Sequence, residues 1–356
     1  MKREWNVGLV LSALSAAVVL LLAWWAQGRL GGYLVRLVHM WGIYVIFVVS
    51  FNLIYGYTGQ FSLAHAGLTA IGAYTVALLT LSPGAKQAMF LLVPPTWPIS
   101  VVQWPFFPAL VLSGLLAAVV GFGVGAPALR LRGDYLLIVT LGFSEIIRLL
   151  LAALPTVSNG ALGLVGIPTY TNLVWVWACA MAAIFVTKRL VDSSYGRALK
   201  CIREDEIAAE AMGVRLYYHK LMAFTISAFF TGIGGALLAN LLRTVDPRTF
   251  APSLSYVVIT MAVLGGVDSL TGAVLAAGIY TVMSEILRVV ESPITLLGIH
   301  VRGFPGLRTL AFAVMLLLLI RFYRKGLMGG REFSWHSASV KLRGLTTAMK
   351  GKGGEE

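Results

Sequence analysis

The fold is decided by a stretch at residues 37–54, which reads LVHMWGIYVIFVVSFNLI and contains no Asp, Glu, Lys or Arg. Around it, the only such residue between Arg36 and Arg130 is Lys86. A helix of about 20 apolar residues spans the hydrocarbon core of a bilayer. Because such a helix pairs its backbone polar groups internally, it needs no water around it. Residues 37–54 therefore predict a transmembrane helix.

The rest of the chain repeats this pattern. Of its 356 residues, 58% are hydrophobic and 12% are charged, whereas a soluble domain carries about 25% charged residues. The sequence predicts an all-α polytopic membrane protein of about ten transmembrane helices. The ten predicted helices lie near residues 8–26, 33–54, 62–81, 106–128, 134–154, 171–188, 220–241, 253–267, 270–290 and 307–322. The eighth is the weakest, because it is short and contains Gly265 and Gly266.

The basic residues indicate how the chain is oriented. Two lie at the N-terminus, two are Arg130 and Arg132, seven lie in residues 188–220 and eight follow from Arg321 onward. Cytoplasmic segments of membrane proteins carry an excess of Lys and Arg. With ten helices, an N-terminus on the inside puts all four groups inside. The sequence therefore predicts an N-in, C-in topology.

The net charge of +13 does not indicate a nucleic-acid partner. The basic residues lie in the short polar gaps between apolar segments, and not in a stripe with interleaved aromatic residues. That spacing is typical of a protein whose partner is a lipid bilayer. We expect one transmembrane domain at residues 1–328 and a basic, mobile cytoplasmic tail at residues 329–356.

Motifs for catalysis and for cofactor binding are absent from the sequence. It has no G-x-x-x-x-G-K-[ST] loop for nucleotide phosphates, no HExxH, no CxxC and no G-x-S-x-G. Its two cysteines, Cys179 and Cys201, indicate neither a disulfide framework nor a metal site. We therefore expect no catalytic residue, no metal, no bound cofactor and no enzymatic activity on this chain.

A loop at residues 189–219 is the most informative polar segment. Asp192 to Ser194 offer an N-cap and Gly213 offers a stop, which predicts short amphipathic helices between them. One interpretation is a cytoplasmic knob that fits a groove on a partner protein. The alternative is a solvated loop that carries positive-inside charge.

This loop resembles the cytoplasmic loop of the branched-chain amino-acid ABC transporter permeases. Ala208-Ala209 followed by Gly213 is similar to the importer pattern Glu-Ala-Ala-x-x-x-Gly, although Ile207 stands where that pattern has Glu. The resemblance implies that the loop couples the chain to an ATPase. The residues it assigns to this coupling are Gly196, Arg203, Glu204, Ala208, Ala209 and Gly213.

Two further segments are similar to the same family. Residues 56–66 read GYTGQFSLAHA and resemble a family signature that has Gly where this chain has Ala64. Residues 129–135, LRLRGDY, lead into the next apolar segment in a family-like way. The resemblance covers roughly residues 35–330, which is nearly the whole predicted membrane part.

The resemblance implies a permease subunit of an ATP-driven importer in the inner membrane of a prokaryote. The implied partners are a second homologous permease, two P-loop ATPase subunits that carry ATP and Mg, and an external substrate-binding protein. The implied cargo is a branched-chain or related small amino acid. Urea and short-chain amides are the alternative cargo, and nothing in the sequence separates the two.

Polar residues at the start of the third apolar segment are candidates for the translocation path. They are Gly59, Gln60, Ser62 and His65. A polar group at membrane depth is costly unless it faces a partner or a cavity, and irregular backbone is tolerated there where it lines a cavity. The alternative is helix packing and capping, with His65 simply hydrogen-bonded.

Two charge pairs lie inside apolar segments. Glu145 and Arg148 are three residues apart, as are Glu285 and Arg288, so each pair shares one helix face. They suit either a gate or a structural pair that fixes helix register. An ion-coupled secondary transporter is a further alternative, and it would need such carboxylates on its pathway.

Overall fold

A computed structural model describes residues 2–90, 93–131, 133–291, 294–296, 299–301, 306–322 and 326–328. Most of these residues are helical, which confirms the predicted all-α polytopic fold. The helices are α1 (Lys2–Arg29), α2 (Gly32–Ile54), α3 (His65–Thr80), α4 (Pro83–Met89), α5 (Phe106–Ala128), α6 (Asp134–Ala153), α7 (Pro155–Ser158), α8 (Leu173–Asp192), α9 (Ser194–Glu204), α10 (Glu206–Ala211), α11 (Leu216–Leu242), α12 (Ser253–Gly265), α13 (Leu270–Glu291) and α14 (Leu307–Phe322). The tail predicted at residues 329–356 lies outside the described residues.

Two 3-10 helices (Gly160–Leu162 and Pro247–Phe250) and four short strands supply the remaining regular structure of the described residues. β1 (Leu164–Val165) and β2 (Thr244–Val245) pair antiparallel, and so do β3 (Ile294–Leu296) and β4 (Ile299–Val301). The first pair joins the loop after α7 to the loop after α11.

Each of the ten predicted segments contains a helix. Within the described ranges, six helices are long and apolar enough to cross a membrane, namely α2, α5, α6, α8, α11 and α13. α3 and α4 make a seventh span if they count as one that bends by 115°. α12 has only 13 residues, fewer than the roughly 17–25 that a spanning helix needs. The chain is thus a multi-pass membrane protein, while ten crossings and the N-in, C-in topology stay predictions.

The core of the bundle is built around α2 and α11. α11 packs against α5, α3 and α2, and α2 also packs against α8 and α13. Both helices are apolar on all sides, as expected for helices that other helices surround. Phe47 and Phe51 on α2 and Phe224 on α11 are fully buried. These two helices therefore form the scaffold that positions the polar groups described below.

α3 and α11 cross with their backbones in contact. A Cβ atom added at Gly72 would lie 2.0 Å from the Gly232 carbonyl oxygen, and one added at Gly235 would lie 2.2 Å from the Thr69 carbonyl oxygen. Lipid gives helices no hydrophobic drive to associate, so small residues that permit close van der Waals packing stabilise such crossings.

Lys86 holds the Pro-rich segment between α4 and α5 in place by hydrogen bonds. Its side chain is buried and its Nζ donates hydrogen bonds to the carbonyl oxygens of Ile99 (2.8 Å) and Val102 (2.6 Å). The backbone N–H of Trp104 also bonds to the Leu79 carbonyl at 2.8 Å. The segment is thus fastened to the end of α3 and to α4.

Candidate coupling site and buried polar core

The predicted amphipathic helices of the 189–219 loop are α9 and α10. The Ser193 hydroxyl caps α9 by accepting from the Gly196 N–H, as the Asp192–Ser194 cap predicted. Asp205 begins α10, because its carboxylate accepts from the N–H groups of Ile207 (2.8 Å) and Ala208 (3.1 Å). Such caps satisfy donors that the first turn of a helix leaves without a partner. The loop is therefore an ordered helical pair.

α9 and α10 carry apolar side chains on two surfaces, one that packs on the membrane domain and one that is exposed. Leu199 is buried against Leu53 and Ala223 of the membrane domain. On the opposite side, Ile207 is 72% exposed and Met212 is 84% exposed. These two side chains form an exposed apolar tip on the loop, which we call the α10 tip.

The two residues of the predicted pair Ala208-Ala209 belong to different surfaces of α10. Ala208 is exposed near the α10 tip, whereas Ala209 is buried. α10 is also fastened to α11, since the Glu206 carboxylate accepts a hydrogen bond from Lys220 Nζ, and Lys220 is buried. A substitution at Ala208 therefore tests the outer surface, while one at Ala209 disturbs the packing of α10 itself.

Arg203 of α9 points toward the membrane domain. Its Nη1 donates to the Gly56 carbonyl at 2.7 Å and lies 3.8 Å from the Asp268 carboxylate. Its Nη2 donates to Glu204 at 2.7 Å. A Cβ atom at Gly59, whose φ is +73°, would lie 3.2 Å from Arg203 Cγ. We call Gly56, Gly59, Arg203 and Asp268 the Arg203 junction.

The junction rests on two turns that touch each other. A Cβ atom at Gly56 would lie 1.8 Å from the Val267 carbonyl oxygen. The Tyr57 hydroxyl donates to the Asp268 carbonyl at 3.1 Å. The turn after α2 and the turn between α12 and α13 are therefore one packed unit, and Arg203 bonds to both parts.

Residues 326–328, which follow α14, lie next to these two turns. The N–H of Leu327 bonds to the Leu264 carbonyl at 3.0 Å, and that of Met328 bonds to the Gly265 carbonyl at 3.4 Å. The chain that follows α14 is thus attached to the end of α12.

The candidate path residues lie between the junction and the bundle core. Gly59 belongs to the junction, and Gln60, Ser62 and His65 are buried. Neither side-chain amide atom of Gln60 has a hydrogen-bond partner among the described residues. Ser62 Oγ accepts from the Ala64 N–H at 3.2 Å. The structure thus places Gln60, Ser62 and His65 in the interior and leaves Gly59 exposed beside Arg203. The part of all four residues in translocation stays a prediction.

Hydroxyl groups from other helices support the irregular backbone between α2 and α3. The Leu63 N–H donates to Thr140 Oγ1 at 3.0 Å, and the Leu63 carbonyl accepts from Ser144 Oγ (2.8 Å) and Ser255 Oγ (3.1 Å). Ser255 Oγ also accepts from the Ala66 N–H at 3.0 Å. Irregular backbone at membrane depth needs such partners within the protein, because the bilayer core holds no water.

A buried polar network adjoins this backbone. His65 Nε2 lies 3.4 Å from Ser50 Oγ, which lies 3.1 Å from Thr231 Oγ1. Ser227 Oγ donates to the Ser50 carbonyl at 2.7 Å. The sequence interpretation missed Ser50 and Thr231, although single hydroxyls inside apolar helices are a signal for interhelical hydrogen bonds.

Both predicted charge pairs form. Arg148 Nη2 on α6 lies 2.7 Å from Glu145, and about a third of each side chain is exposed. Arg288 Nη2 on α13 lies 2.6 Å from Glu285, and the Tyr33 hydroxyl donates to the same carboxylate at 2.7 Å. The second pair therefore ties α13 to α2, whereas the first stays on one helix.

Comparison with known proteins gives one family match. The family model described as branched-chain amino acid transport system / permease component matches residues 33–322. The high-affinity branched-chain amino acid transport system permease protein LivM of Salmonella typhimurium is 34% identical over 309 residues, covering 77% of this chain and 68% of LivM. The Escherichia coli LivM is 35% identical over 280 residues, covering 69% of this chain and 61% of LivM.

A second kind of permease is also similar to the chain. The high-affinity branched-chain amino acid transport system permease protein LivH of Salmonella typhimurium is 22% identical over 249 residues, covering 65% of this chain and 77% of LivH. No solved structure is a significant match. The match to the Escherichia coli LivM spans less than two thirds of that relative's length.

Proposed function

Because this chain belongs to the family of branched-chain amino acid transport system permease components, we propose that it is the permease subunit of an ATP-binding-cassette importer for branched-chain or related small amino acids. In this role the chain forms part of a membrane pathway and performs no covalent chemistry. ATP and Mg bind to two partner P-loop ATPases, and an external binding protein delivers the cargo. The site of action is the inner membrane of a prokaryote.

The α10 tip is the observation that carries the ATPase partnership. Ile207 and Met212 are exposed in residues 188–220, a segment that holds seven Lys and Arg residues, which is typical of the cytoplasmic side. Exposed apolar side chains in water favour burial against a partner, by roughly 1.5–3 kcal/mol for a fully buried residue. An amphipathic helix laid in a groove of the ATPase meets that need.

We propose the N-in, C-in topology with ten crossings, and the contacts of the Arg203 junction support its part from α3 to the chain after α14. The placement of α1 and the N-terminus rests on the positive-inside charge. The contacts of the junction bring together the end of α2, the α9–α10 loop and the α12–α13 turn, and the chain after α14 attaches to the same unit. These segments share one side of the membrane if an even number of crossings separates each from the next. That condition holds when α3 with α4 counts as one crossing and the short helices α12 and α14 count as one each.

A second homologous permease is the proposed partner within the membrane. The relatives of this chain include both LivM and LivH, which are two permease proteins with the same transport-system name. α6 has the least buried surface of the six candidate spans, and it carries the partly exposed Glu145–Arg148 pair. Because charge at membrane depth is costly when it faces lipid, this helix suits a contact with the partner permease or with the pathway.

Affinity purification of the chain from its own membranes tests the proposal. A second permease and P-loop ATPases should be identified by mass spectrometry, and the eluate should hydrolyse ATP. Ile207→Glu should lower the recovery of ATPase by at least about tenfold, since a charge at the centre of an apolar contact is not tolerated. Leu162→Glu is the matched control, because Leu162 is also an exposed aliphatic residue and ends a 3-10 helix on the other proposed side.

The outcome also separates the alternatives. If the chain elutes alone and its uptake follows an ion gradient, the secondary-transporter hypothesis replaces this proposal, and Glu145 and Glu285 become the leading residues. If the complex forms but urea or a short-chain amide outcompetes leucine for uptake, the importer assignment holds and the cargo is different.

A further inference from the structure

We propose that Arg203 is the positioning residue that transmits movement of the α9–α10 loop to the membrane-spanning helices. This inference rests on the proposed function, since it requires an ATPase that moves the loop. It assigns Arg203 to the inner face of the coupling loop, where it acts on this chain's own turns and not on the ATPase.

The direction of the side chain is the first observation. The guanidinium of Arg203 reaches the Gly56 carbonyl at the end of α2 and the Asp268 carboxylate before α13. The α10 tip, Ile207 and Met212, is exposed on the outer side of the loop. Partner contact and contact with the membrane domain are therefore made by different residues of one short segment.

The stiffness of the two turns is the second observation. The Gly56 backbone lies so close to Val267 that no Cβ atom fits between them. The Tyr57 hydroxyl and the Asn52 side-chain amide add hydrogen bonds to the Asp268 and Ser269 carbonyls. Because densely packed groups cannot deform independently, a displacement of Arg203 moves the end of α2 and the start of α13 together.

Other contacts of α9 and α10 end on α2, on α11 or on the turn after α2. Leu199 packs on α2 and α11, Lys220 ties α10 to α11, and Lys200 lies 5.8 Å from the ring of Tyr57. Among these, Arg203 is the contact that reaches the carboxylate between α12 and α13 directly. Its removal should therefore break the direct link from the loop to α12 and α13, which then follow the loop only through their packing on the turn after α2.

Two charge-assisted interactions on separate elements explain why arginine occupies this position. The planar guanidinium offers five donors in a fixed arrangement. Its Nε and Nη2 bond to Glu204, while its Nη1 bonds to the Gly56 carbonyl and lies 3.8 Å from the Asp268 carboxylate. Lysine presents one flexible ammonium and cannot make all of these contacts. Hydrogen bonds that involve a charged group are roughly twice as strong as neutral ones. Arg203→Lys should accordingly restore only part of the transmission.

Hydrogen exchange on the full-length chain in lipid nanodiscs tests the mechanical link. Arg203→Ala should raise amide exchange in residues 55–60 by about tenfold or more, because the Gly56 carbonyl loses a hydrogen bond from a charged group. In residues 264–270 the rise should be about two- to fivefold, because a partly exposed ion pair contributes up to about 1 kcal/mol. Exchange in α11 should stay as in the wild type. Arg197→Ala is the matched control, because Arg197 is an exposed arginine on the same helix.

Uptake per ATP hydrolysed in the purified complex tests the functional consequence. Arg203→Ala should retain the ATPases and hydrolyse ATP, yet transport at least about tenfold less cargo per ATP than Arg197→Ala, with Arg203→Lys in between. Asp268→Asn, which loses only the ion pair at 3.8 Å, should lower the ratio by about two- to fivefold. If Arg203→Ala does not fold, Arg203→Lys and Asp268→Asn give the same comparison.

The results of these experiments separate failure of the inference from failure of the proposed function. Dissociation of the ATPases from Arg203→Ala would show that Arg203 docks the partner, which overturns the inference. Unchanged exchange at residues 264–270, or unchanged uptake per ATP, also overturns it. If the wild-type chain brings down no ATPase, the proposed function fails by itself, and the exchange experiment still shows whether Arg203 joins the two turns.

Discussion

Gly72→Ala should destabilise the bundle at the crossing of α3 and α11. The added Cβ would lie 2.0 Å from the Gly232 carbonyl oxygen, whereas carbon and oxygen in contact lie about 3.3–3.6 Å apart. The two helices must therefore separate locally by more than about 1 Å, and a gap of this size forfeits a quarter to a half of the dispersion energy of each contact it opens.

The expected magnitude follows from two opposing effects. Over-packing a close contact costs about 1–3 kcal/mol, and here the obstacle is backbone that no rotamer change can move. Alanine gains about 1 kcal/mol of helix propensity over glycine. We expect a net loss at the upper end, about 2 kcal/mol, because α11 contacts α2 and α5 as well as α3, and its displacement disturbs all of them.

Thermal unfolding of the purified full chain in detergent, followed by circular dichroism, measures the effect. Gly123→Ala is the matched control, because a Cβ there meets no atom within 4 Å and should be neutral or stabilising by up to about 1 kcal/mol. The midpoint of Gly72→Ala should fall well below that of Gly123→Ala. Equal midpoints would refute the backbone contact between α3 and α11.

Three further predictions concern the polar groups. Lys86→Met should speed proteolysis of residues 93–105 by an externally added protease. Two carbonyl groups lose their hydrogen-bond donor, which destabilises the segment by about 1–3 kcal/mol. Gln87→Met, at an exposed position on the same helix, should leave the rate of proteolysis unchanged. Thr231→Val should lower the free energy of unfolding of the purified chain by about 1 kcal/mol. Thr225→Val should lower it less, because the Thr225 hydroxyl bonds to a carbonyl of its own helix, α11. A larger loss for Thr225→Val than for Thr231→Val would contradict the hydrogen bond between Thr231 and Ser50. The single variant Arg148→Gln should be less stable than the double variant Glu145→Gln/Arg148→Gln, by on the order of 1 kcal/mol. The single change leaves the Glu145 carboxylate at membrane depth without its cation. Equal stability of the two variants would argue against the ion pair.

Most of the helical architecture could be predicted from local sequence. The uncharged run at residues 37–54 lies within α2, because a backbone in lipid has few alternatives to a helix. The start of α9 was predictable for a similar reason, since the Ser193 hydroxyl supplies a local cap. In both cases the determining groups are close to one another along the chain.

The Arg203 junction could not be predicted, because its members are far apart in the sequence. Positive-inside charge predicted that Arg203 lies in a cytoplasmic loop, yet it carries no information on the direction of the side chain. Asp268 was not singled out at all. The contact depends on how α2, α9 and α13 pack, and no periodicity within one segment encodes that arrangement.

The hydroxyl partners of Leu63 have a consequence for biogenesis. As the chain leaves the ribosome, the backbone between α2 and α3 reaches the membrane long before Thr140 and Ser144, and longer still before Ser255. The Leu63 peptide groups therefore find their first hydroxyl partners when α6 is in place, and the Ala66 N–H gains Ser255 when α12 is in place. Translation products that stop before α6 should accordingly leave the start of α3 more open to membrane proteases than products that stop after it.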